Sequence, residues 1–463
     1  MADALWTSKD IAAVTGGNVV GPDFEATGVS IDSRAVDPGD LFVALTGERD
    51  GHLFTPGALG AGASGVLASR PVNGPHVLVP DTLKALEAMG EAARDRSLSL
   101  RAAVTGSVGK TSVTQAIAAG LAGAGRWHSS VKSYNNHIGV PLTLARMPWA
   151  TERAVFEIGM NHADEIAPLS RMVRPEVAVV TTVGPVHIEN FPDGEEGVAR
   201  AKAEIFDGIE PDGVAILNAD NRWFDLLAHS ARAAGARVLS FGSGEGCDAR
   251  LLDFSAAHGH ASVRAVVHGA SISFPLLQTG LHWGLNSLCA LLALEAMNVD
   301  RATALEALGA FAPLAGRGAE KTVRIGGGAF TLIDESYNAN PISMAAALKT
   351  LGARQERGRR IVALTDMLEL GPDAPAFHAG LAGTIEAAGV DLVFCAGPMM
   401  KSLWDALPPT RRGGYAEAAA DIAPRVASAA EPGDLVMVKG SNGSRASVIA
   451  AALAALDHTG ETA

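Results

Sequence analysis

Residues 101–122 read RAAVTGSVGKTSVTQAIAAGLA. Ala102, Ala103 and Val104 form a short apolar run of the kind buried in a parallel sheet, glycines at 106 and 109 allow a tight turn, and helical spacing follows from Lys110. Between strand and helix, Thr105, Gly106, Ser107, Val108, Gly109, Lys110, Thr111 and Ser112 set backbone amides and a helix amino terminus where they can cradle phosphates. Lys110 is then expected to reach the terminal phosphates, and Thr111 to ligate Mg2+. Val104 stands where the longer form of such a loop has glycine, so this is a shortened variant. A plain glycine turn with a surface lysine fits the flanking strand and helix less well.

Outward from this stretch, RAVFEIG, EVAVVTTVG and GVAILN continue as buried-type strands, and the block ends near Pro313 after a helix predicted from Asn286 to Met297. Upstream, GDLFVAL, SGVLAS and HVLVP read as strands before a polar helix from Thr82 to about Arg96. Downstream, GAFTLID, RRIVALTD, VDLVFCAG and DLVMVKG repeat the alternation and predict a separate doubly wound sheet. The expectation is an α/β protein of three domains, 1–82, 83–314 and 315–463. Asp334, Asp366 and Lys439 fall at carboxyl ends of strands, where such sheets bind ligands.

A chain of 463 residues is too long for one comfortable core. Its formal net charge of -13 argues against nucleic acid or an anionic membrane as the main partner, since both require a basic footprint. A phosphate-bearing small molecule remains open, because amides and a few cations suffice to hold it. The longest apolar stretches, such as residues 448–456, are too short to cross a bilayer. The start MADALWTSKD lacks a basic region followed by an apolar one, and Cys247, Cys289 and Cys395 show neither metal-ligand spacing nor a paired framework. A protein of the reducing cytoplasm is expected.

Mg2+ needs oxygen ligands beyond one hydroxyl. Glu157, after AVF, and His187, after VVTTVGP, are the candidates. Alone, each reads as a solvated glutamate or a structural histidine; beside a phosphate loop they read together as a metal site. Histidine is unusual for Mg2+, and Mn2+ could substitute. In EEGVARAKAEIFDGI, helical spacing puts Lys202 on one stripe with Val198, Ile205, Phe206 and Ile209, so either its stem snorkels to solvent or its burial needs a reason. Asp334 opens ESYNANP, where Asn340 is placed to cap a helix starting at Pro341. Asp334 and Tyr337 could hold a ribose or base, and a turn with a cap would account for them too. The run Gly440 to Arg445 reads either as a second anion-binding turn or as an ordinary strand-to-helix turn.

TGSVGKTS, YNNHIGVPLTL, FEIGMN, VGPVHIENF, AKAEIF, LNADN, DESYNANP and DMLELG, in this order across almost the whole chain, resemble the Mur ligase family. The last two resemble the branch that joins D-alanyl-D-alanine to UDP-N-acetylmuramoyl-tripeptide in peptidoglycan precursor synthesis. The resemblance implies an amino-terminal UDP-sugar domain, a central P-loop ATPase with a mainly parallel sheet and a carboxyl-terminal Rossmann-like domain. It gives ATP and Mg2+ to Lys110 and Thr111, the metals to Glu157 and His187, and a carbamylated side chain to Lys202, making Lys110, Glu157, His187 and Lys202 the catalytic set. It implies that His282 and Asn286 meet the adenine side with Asp334, Tyr337 and Asn338. Asn135, Asn136 and Lys439 would serve the substrate, and Ser30, Asp32, Ser33, Arg34 and His52 the uridine nucleotide. Three residues depart from the family: Trp283 where Asn is frequent, His137 where Glu is frequent, and Asn442 where Arg is common.

The implied chemistry is attack of the tripeptide carboxylate on the γ-phosphate of ATP, followed by displacement of phosphate from the acyl phosphate by the D-Ala-D-Ala amine. Positioning and charge neutralisation would carry the rate. No nucleic acid and no membrane insertion are expected, and the chain should be a monomer. The rivals are another ligase of this architecture, such as folylpolyglutamate synthase or a sister Mur enzyme, and a non-catalytic nucleotide-binding protein, against which Lys110, Glu157, His187 and Lys202 weigh.

Overall fold

A computed structural model of the protein describes residues 4–131, 133–257, 259–354 and 358–457. The apolar run of the opening stretch becomes strand Leu100–Thr105 inside a nine-stranded sheet, with Arg153–Glu157 parallel on one side and Val177–Val180 parallel on the other. Helices cover both faces, which is why these strands are apolar at consecutive positions. Val113, Ile117 and Leu121 of helix Lys110–Ala122 pack on one face with Leu288, Leu291 and Leu292 of helix Trp283–Ala296. Ile166, Leu169, Val198 and Phe206 fill the other. The parallel order runs on through Val214–Asn218 and Arg237–Gly242 to Ala249–Ala257.

Two further strands, His260–Val267 and Ala270–Leu276, extend that sheet as an antiparallel meander that the sequence reading did not resolve. His260–Val267 alternates exposed and buried residues because only one of its faces is covered. A second departure concerns the stretch around Lys202. Its α-helix covers only Gly194–Ala203, and a 3-10 turn, Glu204–Gly208, carries Ile205 and Phe206 into the same core. The helix predicted from Asn286 begins earlier, at Trp283, so His282 stands at its amino-terminal boundary.

The carboxyl-terminal sheet has six strands, in the order Ala319–Ile325, Gly328–Glu335, Leu435–Lys439, Arg360–Thr365, Leu392–Ala396, Arg412–Ala416, all parallel except the first. The amino-terminal sheet has five short strands from Asn18–Val20 to His76–Leu78. Leu86 and Met89 of helix Thr82–Asp95 pack into its core together with Leu142 and Ala145 of the central block. Arg96 strengthens this join, its guanidinium 4.1 Å from the Trp6 ring and 4.4 Å from the Trp149 ring.

Among the described residues no helix is long and apolar enough to cross a membrane. The three cysteines are free.

Candidate active site

The phosphate loop begins where Leu100–Thr105 ends, between two parallel neighbours whose carboxyl ends supply the rest of the site. Gly106, at φ +147°, lies against Thr181, and a Cβ there would collide with the Thr181 hydroxyl. Gly109 enters the helix at φ +87°, a conformation open to glycine. The loop is clamped from the next strand: Ser107 Oγ donates to Gly184 O at 3.1 Å and accepts from Gly184 N at 3.0 Å, while Thr181 Oγ1 donates to Val108 O at 2.5 Å. Lys110 Nζ donates to Gly106 O at 2.8 Å. Burial lowers the Lys110 pKa, the Glu157 charge raises it, and Arg317 lowers it further.

Residues 107–112 line one wall of a cavity of about 440 Å³ that lies between the central and carboxyl-terminal blocks. Glu157, Asn135, His187, His282, Asn286, Tyr337, Asn338 and Lys439 line it as well, so most of the expected nucleotide and metal residues meet in one place. Glu157 is buried at the end of its strand, and its Oε1 accepts from Ser133 Oγ at 2.9 Å and from Asn135 Nδ2 at 2.7 Å. Ser133 Oγ is in turn 3.5 Å from Thr111 Oγ1. Hydroxyl, hydroxyl and carboxylate thus form a row of hard oxygen donors beside the loop.

These donors fit Mg2+. Among the described residues no three His, Cys, Asp or Glu side chains converge on one point, which argues against a protein-only cage of the zinc kind. A cation that keeps waters and phosphate oxygens in its shell needs only one or two such side chains. His187 reaches the cavity from a backbone at φ +55°, and its buried Nδ1 has no aligned hydrogen bond. Burial lowers its pKa, and the charge of Glu369 opposes that shift.

Lys202 is 3% exposed and does not itself line the cavity. At that burial its head group does not reach solvent, so the snorkelling alternative fails; among the described residues it also has no carboxylate in ion-pair contact. Burial drives its pKa well below the ordinary lysine value, and the positive charge of Lys110 pushes the same way. Both influences favour the neutral, nucleophilic amine over the ammonium.

Several expected residues are occupied elsewhere. Asp334 Oδ1 accepts from Ser336 N at 3.0 Å and shapes the turn, while its neighbour Glu335 faces the cavity. Lys439 Nζ, buried, donates to Glu335 Oε2 and to Asn338 O, each at 3.1 Å. Asn136 Oδ1 accepts from Ile138 N and Gly139 N at 3.2 and 2.9 Å, capping the start of helix Gly139–Ala145. Thr105 and Gly106 support the loop from behind its cavity-lining face. Asn340 makes the expected cap on helix Pro341–Gly352.

In the first block, Ser30 is buried, and its Oγ contacts the carbonyls of Asp32 and Ala35. Asp32 holds Arg34 through two bonds of 2.9 and 2.8 Å, with Ser33 in the turn between them. His52 has both ring nitrogens engaged, Nδ1 with Asp50 at 2.7 Å and Nε2 accepting from Ser69 N at 2.9 Å. None of these five lines the cavity. Of the three departures, Trp283 is buried against Phe311 with ring centres 5.7 Å apart, while His137 and Asn442 are exposed.

The sequence reading passed over Ser133, Arg317, Glu335 and Glu369. Arg317 sits between glycines at φ +71° and +87°, donates from Nη2 to Thr111 Oγ1 at 3.0 Å, and lies 3.9 Å from the Tyr337 ring centre. The string Gly316-Arg317-Gly318 was its available signal: a cation in a glycine turn just beyond the block boundary.

Comparison with known proteins agrees with this geometry. Family models for the Mur ligase catalytic domain, middle domain and glutamate ligase domain match residues 25–108, 104–294 and 321–442. The UDP-N-acetylmuramoyl-tripeptide–D-alanyl-D-alanine ligase of Bacillus subtilis is 33% identical over 94% of this chain and 96% of its own. The enzyme of the same name from Escherichia coli is 34% identical over 84% and 86%. A crystal structure of MurF from Acinetobacter baumannii superposes with a TM-score of 0.85 at 26% identity, covering 97% of this chain and 99% of that one. By motif order, fold and these matches, the chain belongs to the Mur ligase family and is of the MurF type.

Proposed function

We propose that the protein joins D-alanyl-D-alanine to UDP-N-acetylmuramoyl-tripeptide at the expense of ATP, giving the UDP-linked pentapeptide, ADP and phosphate. The observation that carries this reading is the convergence of the phosphate loop, Glu157, His187 and the Tyr337-Asn338 segment on one cavity between two blocks. The proposed division of labour follows the three blocks: residues 1–82 for the UDP-sugar, 83–314 for ATP and 315–463 for closing the site. Helix Thr82–Asp95 forms the shared wall of the first two.

In this reading the loop amides and Lys110 hold the β- and γ-phosphates, offsetting repulsion between the tripeptide carboxylate and the phosphate it attacks. Arg317, already bonded to Thr111, adds a second cation at the same point. Thr111, Glu157 and His187 would hold Mg2+, which supplies charge neutralisation on the phosphates when bound. Asn135 orients Glu157, and Tyr337, stacked under Arg317, borders the nucleotide pocket with His282 and Asn286. Lys202 as a carbamate would add a further carboxylate beneath the loop. The substrate segments at Ser30 to Arg34 and at His52 would act through their backbone and turn shape, since their side chains are largely spent on the turns.

The test follows ADP formation with a panel of UDP-linked peptides and amines. Turnover should require ATP, Mg2+, the tripeptide substrate and D-Ala-D-Ala together. Equal turnover with a single amino acid as acceptor would replace this assignment with a sister ligase.

A further inference from the structure

The loop Asp366 to Gly371 crosses from the carboxyl-terminal sheet to the central block, and nothing in the mechanism above uses it. Its backbone is pinned on the approach: Met367 N donates to His378 Nε2 at 3.0 Å and Leu368 N donates to Ser441 Oγ at 3.0 Å. Met367 and Leu370 are buried on either side of Glu369. Glu369 itself adopts φ +62°, a left-handed conformation that costs a non-glycine residue about 1 kcal/mol or more and persists only where the surroundings impose it. The result is a carboxylate 2.7 Å from His187 Nδ1, opposite a histidine that is also left-handed, at φ +55°. Gly371 seats the loop against Glu189, with a Cβ position 3.0 Å from that side chain.

We propose that Glu369 is a positioning residue that orients the His187 ring for the metal, and that it does so from the opposite block. A metal-binding imidazole commonly presents one nitrogen to the ion and its other N–H to a carboxylate, which sets the tautomer and the ring plane. With Nδ1 turned to Glu369, Nε2 is the nitrogen left for the cavity that His187 lines. The Nδ1 contact is close but short of hydrogen-bond alignment, so a small turn of either side chain completes it. The charge of Lys110, which also acts on the ring, has the sign that repels an imidazolium and a metal alike. Because the carboxylate belongs to the carboxyl-terminal block, metal affinity becomes coupled to the docking of that block on the central one.

This inference rests on the metal reading of His187, and the experiment separates the two. Mn2+ binding to the full-length protein with ADP is measured by electron paramagnetic resonance for wild type, Glu369→Ala, Glu369→Gln and His187→Ala, alongside ADP binding without metal. Glu369→Ala should weaken Mn2+ binding about 10- to 100-fold and leave metal-free ADP binding unchanged, with Glu369→Gln, which keeps an acceptor oxygen, lying between. Nitrogen-15 spectra should show the Nδ1–H tautomer of His187 in the wild type and its loss in Glu369→Ala. Wild-type Mn2+ affinity in Glu369→Ala, an Nε2–H tautomer in the wild type, or an equal fall in metal-free ADP binding would overturn the positioning role. Wild-type Mn2+ affinity in His187→Ala would overturn the metal reading itself.

Discussion

Two strand-to-helix turns of this protein carry a lysine next to glycine and serine, one at Thr105 to Ser112 and one at Lys439 to Arg445, and they do different work. In the first, Lys110 opens a helix, bonds a loop carbonyl, has no carboxylate in ion-pair contact among the described residues and lies beside an oxygen-rich row. In the second, Lys439 is the last strand residue, paired in register with Glu335 of the neighbouring parallel strand, and its Nζ also holds Asn338 O. A lysine in such a turn stays available for an anion only if no neighbouring strand brings it a carboxylate. Register, not the turn string, supplies that carboxylate.

The largest expected effect comes from exchanging the two lysines for alanine. Lys110→Ala should lose about 10²- to 10³-fold or more in turnover with an unchanged melting temperature. Lys439→Ala should lose about 2–3 kcal/mol of stability, because it strands Glu335 and frees the Tyr337-Asn338 segment. Paired ADP-release assays and urea melts check both, and a Lys439→Ala protein of wild-type stability would break the comparison.

Lys202 sharpens it as a third lysine, buried and, among the described residues, with no carboxylate in ion-pair contact. Lys202→Ala should be nearly inactive and partly rescued by acetate, and carbon-13 dioxide should label the wild-type side chain as a carbamate. Lys202→Met should be equally inactive yet about 1 kcal/mol more stable, since an apolar side chain replaces an unpaired buried amine. A Lys202→Met variant that retains turnover would remove Lys202 from the catalytic set.

The last effect is one of pH, and it leaves turnover at neutral pH untouched. Each region is backed by an imidazole out of free contact with solvent: the partly buried His128, whose Nε2 bonds Thr143 O at 2.7 Å behind the central sheet, and the buried His378 beneath the Asp366 loop. Burial pulls His128 down to about 4 and lowers His378 as well. The folded pKa lies below the unfolded value, so the unfolded chain binds more protons in between. Stability is therefore intact above about 6.5 and lost as pH falls toward 4, by about 3 kcal/mol for His128. His128→Gln, which keeps a donor for Thr143, should flatten that limb of a denaturation series. Loss of amide protection at pH 5 in only one of the two regions would break their symmetry.

Much of this architecture was legible in advance because it rests on local rules. A glycine turn between an apolar strand and a helix, a cap at Asn340 and consecutive apolar strands are each written in a few adjacent residues. The half-covered strands from Ala249 to Leu276 were not, because alternation in a polar, glycine-punctuated stretch is a weak signal beside a continuous apolar run.

By itself, then, the sequence determined the phosphate loop, the α/β alternation and the presence of Glu157, His187 and Lys202 in one block. Tertiary structure alone decided which polar residues meet one another at the site. Ser133 lies 24 positions from the Glu157 it bonds, Arg317 lies 206 from Thr111, and Glu369 meets His187 from another sheet. His52 and Lys439, which carry equally suggestive side chains, are instead bonded into their surroundings. The physical reason is that a side chain's chemistry depends on which groups folding brings against it. That pairing is set by strand register and block docking over distances no local pattern spans.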